Sequence, residues 1–176
     1  MRRRCKTSPN RQLAKVFSKS AEETQHFGLK LARILPIPGV VLLKGALGTG
    51  KTTLTRGIAQ GLGLDDPVAV NSPSFTLVNI YRGICPIYHV DLFRLRGERD
   101  LYSIGLDEFL GKDGVTIVEW SERLCFLTGW AVEIELEDAG DDCRILYISA
   151  SGFNKQFRDS LGSLNLDSLA KSRKPS

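Results

Sequence analysis

Gly45-Ala46-Leu47-Gly48-Thr49-Gly50-Lys51-Thr52 fits the pattern G-x-x-x-x-G-K-[ST] at every fixed position. Glycines at that spacing let backbone N–H groups turn inward around phosphate oxygens with no Cβ in the way. A helix starting at the lysine adds the positive end of its dipole. Lys51 then reaches the β- and γ-phosphates, and the Thr52 hydroxyl binds Mg2+. The run therefore predicts a nucleotide cradle made by Gly45, Leu47, Gly48, Thr49, Gly50, Lys51, Thr52 and Thr53, with ATP and Mg2+ as its cofactors.

Such a cradle requires a carboxylate on the metal side, at the end of a neighbouring strand. Val115-Thr116-Ile117-Val118-Glu119 is an apolar run that ends in an acid, and His89-Val90-Asp91 is a second. Glu119 is the stronger candidate because its run is continuous and apolar. Asp91 is the alternative, and which of them is the main metal ligand stays open at this point. Trp120 follows Glu119 directly and is expected near the nucleotide. In Asn71-Ser72-Pro73-Ser74-Phe75-Thr76, Ser74 and Thr76 are candidate hydroxyls for sensing the γ-phosphate, and Pro73 stiffens the loop.

These residues need a scaffold, and the sequence outlines one. Leu13 to Ser18 reads as a strand. Ser20-Ala21-Glu22-Glu23 matches a capping box. Phe27, Leu31, Ile34 and Leu35 continue it at helical spacing, and Pro36 and Pro38 stop it. Val40 to Leu43 is uniformly apolar, as expected of a strand buried on both faces. A helix from Lys51 to Leu62 closes at Gly63. Asp65 to Ser74 reads as a loop. Thr76 to Tyr81 and Pro86 to Asp91 form a hairpin around Arg82-Gly83. Glu98 to Leu110 is helical with an interruption near Gly105, Val115 to Val118 is another central strand, and Ser121 to Leu127 is a short helix. Ala131 to Leu136 and Arg144 to Ser149 are late strands around an acidic turn. The fold class expected is α/β: a three-layer P-loop NTPase-like domain with a mixed parallel and antiparallel sheet. The domain spans residues 13–150. A basic extension (1–12) precedes it, and a polar, loosely packed tail (151–176) follows.

Charge distribution narrows the partners. Arg2, Arg3, Arg4, Lys6, Arg11 and Lys15 near one end and Lys171, Arg173 and Lys174 at the other are nine of the 24 bases. No acid accompanies them. The rest carries fifteen bases against 20 acids, so it lacks the electrostatic footprint of a duplex binder. No apolar run approaches the roughly 18 residues of a membrane span. The basic start has no apolar segment behind it, so a secretory leader is not expected and a cytoplasmic location is. Cys5, Cys85, Cys125 and Cys143 show no zinc-ligand spacing and read as isolated reduced thiols.

Four blocks taken in order resemble the TsaE (YjeE) family: Gly45–Thr53, Ser72–Thr76, His89–Leu95 and Val118–Glu122. The resemblance covers about residues 13–150, and its specific parts are His-Val-Asp-Leu-Phe-Arg and Glu-Trp-Ser-Glu. It implies a weak ATPase of tRNA threonylcarbamoyladenosine formation, slow alone and stimulated by partners. Those partners are a threonylcarbamoyl transferase subunit and its inactive paralogue, with tRNA met only through that complex and no membrane involved. By the same resemblance Lys51 and Thr52 bind phosphate and Mg2+, and Asp91 and Glu119 serve Mg2+ or the attacking water. The chain departs from the family in having Ala46 for an acid, Thr49 for Ala, Phe93 for Tyr and Ser121 for Pro. Three rivals compete. A guanine nucleotide switch needs N-K-x-D, and Asn154-Lys155-Gln156-Phe157 puts Phe where the acid belongs. A P-loop small-molecule kinase needs an arginine lid, which Arg94, Arg96 and Arg99 could imitate. An ATP-gated interaction module with negligible turnover overlaps the family reading.

Overall fold

Ser20 caps the first helix two residues after the first strand ends. In the computed structural model, which describes residues 12–95, 105–124 and 129–164, β1 is Ala14–Ser18 and α1 is Ala21–Ala32. The Ser20 hydroxyl accepts from the Glu23 amide at 3.2 Å, and the Glu23 carboxylate accepts from the Lys19 amide at 2.7 Å. The box forms with its return bond one residue earlier than the pattern predicts. The helix ends at Ala32 rather than Leu35. The amides of Ile34 and Leu35 both turn back onto the Leu31 carbonyl, which tightens the last turn before Pro36.

β2 (Gly39–Lys44) is the central strand, and α2 (Lys51–Gly61) follows the glycine-rich turn. β3 (Val78–Arg82) and β4 (Pro86–Asp91) form the expected hairpin, and β5 is Val115–Glu119. β6 (Ala131–Gly140) and β7 (Cys143–Ser151) are longer than expected, because the turn at Asp141 and Asp142 is tight enough for pairing to continue to Cys143. The seven strands lie in the order β1-β7-β6-β2-β5-β4-β3. β6, β2, β5 and β4 run parallel, whereas β1, β7 and β3 pair antiparallel. The mixed α/β sheet is the one expected.

The larger core lies between one sheet face and α1 and α2, where Phe27, Leu31, Leu54 and Ile58 are completely buried against Val41, Leu43, Ile117 and Ile134. Fully burying such a side chain stabilises by about 1.5–3 kcal/mol. The two helices touch closely because a Cβ at Gly57 would stand 1.9 Å from the Gln25 carbonyl oxygen, and one at Gly28 would stand 2.5 Å from that of Leu54. A smaller core on the opposite face joins Val40, Leu42, Val90 and Val118 to Leu92 and Leu106. β6 alternates, with Val132, Ile134 and Leu136 inward and Glu135 and Glu137 exposed, as a sheet with one wet face should.

Three further expectations change. Ser121–Arg123 is a single 3-10 turn, after which Leu124 is extended; residues 125–128 lie outside the described part. Of the helical region expected at Glu98 to Leu110, the described part holds a 3-10 turn at Leu106–Glu108. The stretch after Gly152 is not loosely packed throughout: α3 (Lys155–Gly162) is capped by the Asn154 side chain, which accepts from the Phe157 amide at 2.9 Å. Phe153 and Phe157 stack with centroids 4.2 Å apart and pack on the larger core, and Leu161 is completely buried within it. Four-residue spacing puts Phe157 and Leu161 on one face of the helix, Phe153 packs on Phe157 from just before the cap, and their burial outweighs the polar composition around them. Residues 1–11 and 165–176, which hold most of the expected extension and tail, lie outside the described part.

Candidate nucleotide site

Strand register assembles the site. Leu43 of β2 pairs with Glu119 of β5, and Glu119 pairs with Asp91 of β4. Three parallel strands thus end side by side, and the loop leaving β2 enters α2 at the same edge. Open α/β sheets hold ligands outside the carboxyl ends of their strands. A cleft of about 460 Å³ lies there, between the loop and the ends of β4 and β5.

The loop is bent as a phosphate cradle requires. Gly48 and Gly50 have φ of 84° and 98°. Gly50 precedes α2 without a side-chain cap, and the first turn of the helix has no acid, so its amides face the cleft uncontested. Gly45 is needed for space, since a Cβ there would meet the Leu136 carbonyl oxygen at 2.4 Å; its glycine lets the loop pass β6. Thr49 also shapes the loop, donating to the Ala46 carbonyl at 3.0 Å. Leu47 stands at the tip, 79% exposed. Gly48, Gly50, Lys51, Thr52 and Thr53 line the cleft.

Lys51 is buried, and its Nζ donates to the Gly45 and Ala46 carbonyls, both at 2.7 Å. An ammonium has three donors, so one remains beyond these two. Nζ also lies 4.1 Å from the centre of the Trp120 ring. Burial holds this ammonium below the usual lysine value of 10.5, opposed by Glu119, Glu122 and Asp91.

Thr52 donates to both carboxylate oxygens of Glu119, at 2.9 and 3.1 Å. Asp91 has other partners. Its Oδ2 accepts from Ser72 and from Ser74, the latter at 2.7 Å, and its Oδ1 accepts from the Phe93 amide at 2.8 Å. The two acids are thus distinguished by geometry: Glu119 is joined to the cradle, and Asp91 to the loop before β3. Ser74 lines the cleft. Thr76 does not; it is exposed and donates to Asn79 at 3.0 Å.

Trp120 lies beside the cradle as expected. Its φ of 59° is left-handed, which for an aromatic residue is a genuine outlier and marks a constrained turn. The next residue, Ser121, is buried and donates to the Leu43 carbonyl at 3.2 Å, which ties the turn to the end of β2. The indole packs on Phe93 with centroids 4.9 Å apart. Behind them the Arg123 guanidinium donates to the carbonyls of Leu92, Phe93 and Leu95.

Sequence reasoning missed several members of the site. Ser72 and Phe93 line the cleft; Arg94, named above only as a possible lid arginine, lines it too and lies 3.9 Å over the Phe75 ring. Arg96 and Arg99 lie outside the described residues. His89 is completely buried, with Nε2 2.8 Å from Glu119 Oε1. The signal for it was its place two residues before Asp91, which puts both side chains on the same side of β4. Asn154, the first residue of the imperfect guanine motif, caps α3. Cys85 and Cys143 are free thiols, whereas Cys5 and Cys125 lie outside the described residues.

Among the described residues no three His, Cys, Asp or Glu side chains gather to hold a metal. Thr52 with Glu119 instead offers the few oxygen ligands that Mg2+ takes when phosphate oxygens and water complete its shell, and the residues fit that ion. No helix among the described residues is long and apolar enough to cross a membrane.

Residues 18–146 match the family described as Threonylcarbamoyl adenosine biosynthesis protein TsaE. The chain is 37% identical over 133 residues to the tRNA threonylcarbamoyladenosine biosynthesis protein TsaE of Treponema pallidum, covering 75% of this chain and 97% of that one. It is 41% identical over 134 residues to the Bacillus subtilis protein of the same description, covering 74% and 82%. The crystal structure of Bacillus subtilis YdiB superposes with a TM-score of 0.64 at 30% identity, over 89% of this chain and 97% of that one.

Proposed function

We propose that this chain, which belongs to the TsaE family of threonylcarbamoyl adenosine biosynthesis proteins, binds ATP with Mg2+ in the cleft and hydrolyses it slowly. The family acts in the formation of threonylcarbamoyladenosine on tRNA. One observation carries the nucleotide reading: the threonine of the phosphate-loop motif donates to a buried carboxylate at the end of the adjacent parallel strand, 2.9 Å away. That pairing supports a site for a metal-bound triphosphate, since both groups supply oxygen to one point beside the loop.

The roles divide among the residues that line the cleft. The loop amides and the amino end of α2 receive the phosphates. Lys51 turns its remaining donor to a phosphate oxygen. Thr52 and Glu119 hold Mg2+, which supplies neutralisation of the phosphate charge. Asp91, fixed by three donors, orients the attacking water, and any loosening of the loop at Ser72–Ser74 alters that orientation. Trp120 covers the Lys51 side of the cleft and limits the access of bulk water.

Slow hydrolysis serves an assembly. ATP favours association with a threonylcarbamoyl transferase subunit and its inactive paralogue, and hydrolysis releases it; a ligand shifts such an equilibrium only by its differential affinity for the two states. Leu47, 79% exposed at the loop tip, and Phe75, 82% exposed under Arg94, support a covering partner at the cleft. tRNA meets the chain through that complex. The test has two parts: capture of the transferase pair with ATP, ADP or no nucleotide, and multi-turnover tRNA modification by parent and Lys51→Met proteins. The reading expects capture to depend on the nucleotide and the variant to stall after the first turnovers. Nucleotide-independent capture together with full modification by the variant contradicts it.

A further inference from the structure

We infer that His89 is a positioning residue of the nucleotide site, holding the Glu119 carboxylate in the orientation in which Thr52 and a divalent cation meet it. This rests on the Mg·ATP reading above and goes beyond it to a residue that does not line the cleft.

Glu119 is 2% exposed, and a buried carboxylate is costly unless donors surround it. Two donors do so: the Thr52 hydroxyl from α2, and the His89 ring from β4, 2.8 Å from Oε1. The Thr52 hydroxyl has a single proton, shared between both oxygens, so it leaves the carboxylate free to rotate about its last bond. The ring N–H removes that freedom by fixing Oε1. A ligating carboxylate is commonly oriented by such an outer hydrogen bond.

The other face of the ring separates this role from ordinary core packing. His89 is completely buried, and among the described residues its Nδ1 has no hydrogen-bond partner. Toward an ionised carboxylate, which only accepts, Nε2 must carry a proton and donate. Tyr81 is the aromatic neighbour, with ring centroids 6.4 Å apart, and it offers Nδ1 no bond. The polar contact that the ring makes goes to the one acid joined to the cradle.

Two substitutions separate positioning from packing. His89→Gln can place an amide N–H near the position of Nε2; His89→Phe keeps a ring and removes the donor. Nucleotide affinity is titrated with ADP in Mg2+ and in EDTA, with folding checked by circular dichroism. The inference expects affinity in EDTA to stay at the parental value in both variants. The Mg2+-dependent gain should fall about 10–100-fold in His89→Phe and return toward the parent in His89→Gln. A His89→Phe protein with the parental Mg2+ gain, or a His89→Gln protein as impaired as His89→Phe, overturns it. A parent with no Mg2+-dependent binding would instead sink the nucleotide reading. If His89→Phe does not fold, 15N spectra of the imidazole in the parent protein decide: the inference requires a proton on Nε2 and a shift of that signal in Glu119→Gln, and a ring with no proton on Nε2 overturns it.

Discussion

Replacing Lys51 by Met keeps the aliphatic stem against Trp120 and removes the ammonium. In the parent, two of three donors are held by the Gly45 and Ala46 carbonyls at 2.7 Å, leaving one clear gain on binding, a charge-assisted bond to phosphate. Hydrogen bonds to charged groups contribute roughly 1.5–3 kcal/mol, and each 1.4 kcal/mol is about tenfold in affinity. ATP affinity should therefore fall by about one to two orders of magnitude, read by calorimetric titration. Stability should behave differently. Burial lowers the Lys51 pKa from 10.5, so the folded state binds this proton less readily than the unfolded chain does. The cost of burying the charge is present in full at neutral pH and is relieved as pH rises from the lowered pKa toward 10.5. Met carries no such cost. The variant should unfold within about 1 kcal/mol of the parent at neutral pH, and the parent should gain stability relative to it as pH rises through that window. A Lys51→Met protein that binds ATP as the parent does refutes the assignment of the loop. One that unfolds far more easily refutes the separation of binding from folding.

Further outcomes follow from the same geometry. Glu119→Gln should lower turnover more than ATP affinity, because the carboxylate serves the metal side of the site, where charge is neutralised in the transition state; steady-state turnover and binding are compared with Asp91→Asn, and loss in the Asp91 variant alone would reverse the roles given to the two acids. In a Trp130→Phe background, Trp120 fluorescence should change on adding Mg·ADP, because its ring lies 4.1 Å from Lys51 Nζ; an unchanged spectrum removes Trp120 from the site. Leu161→Ala should destabilise by about 2–5 kcal/mol in denaturant melts, since the side chain is completely buried in the larger core; a change near zero would mean that α3 does not dock.

The parts legible in the sequence were those whose signal is local. The glycine-lysine run, the apolar strand ending at Glu119 and the capping box each carry their geometry in a few adjacent residues. What escaped depends on pairing across the fold. Glu119 was favoured over Asp91 only by its apolar run, since each ends a strand; the register that sets Leu43 beside Glu119 and Asp91 one strand further away assigns Thr52 to one of them. Thr76 read as a candidate because of its type, yet its hydroxyl is turned to Asn79. His89 read as part of a motif without a role because its partner is thirty residues away. α3 was misread for another reason: Phe153, Phe157 and Leu161 are spaced four apart, a stripe hidden by polar neighbours that dominate composition. The length of β6 and β7 turned on left-handed Asp141 and Asp142, which allow a tight turn.

Mg·ATP binding at the cradle is tested most directly by titrating ATP into the parent protein in Mg2+ and again in EDTA. One ATP should bind per chain, and more tightly with Mg2+ because Thr52 and Glu119 meet at the metal. Absence of binding, or equal affinity in both conditions, contradicts the assignment.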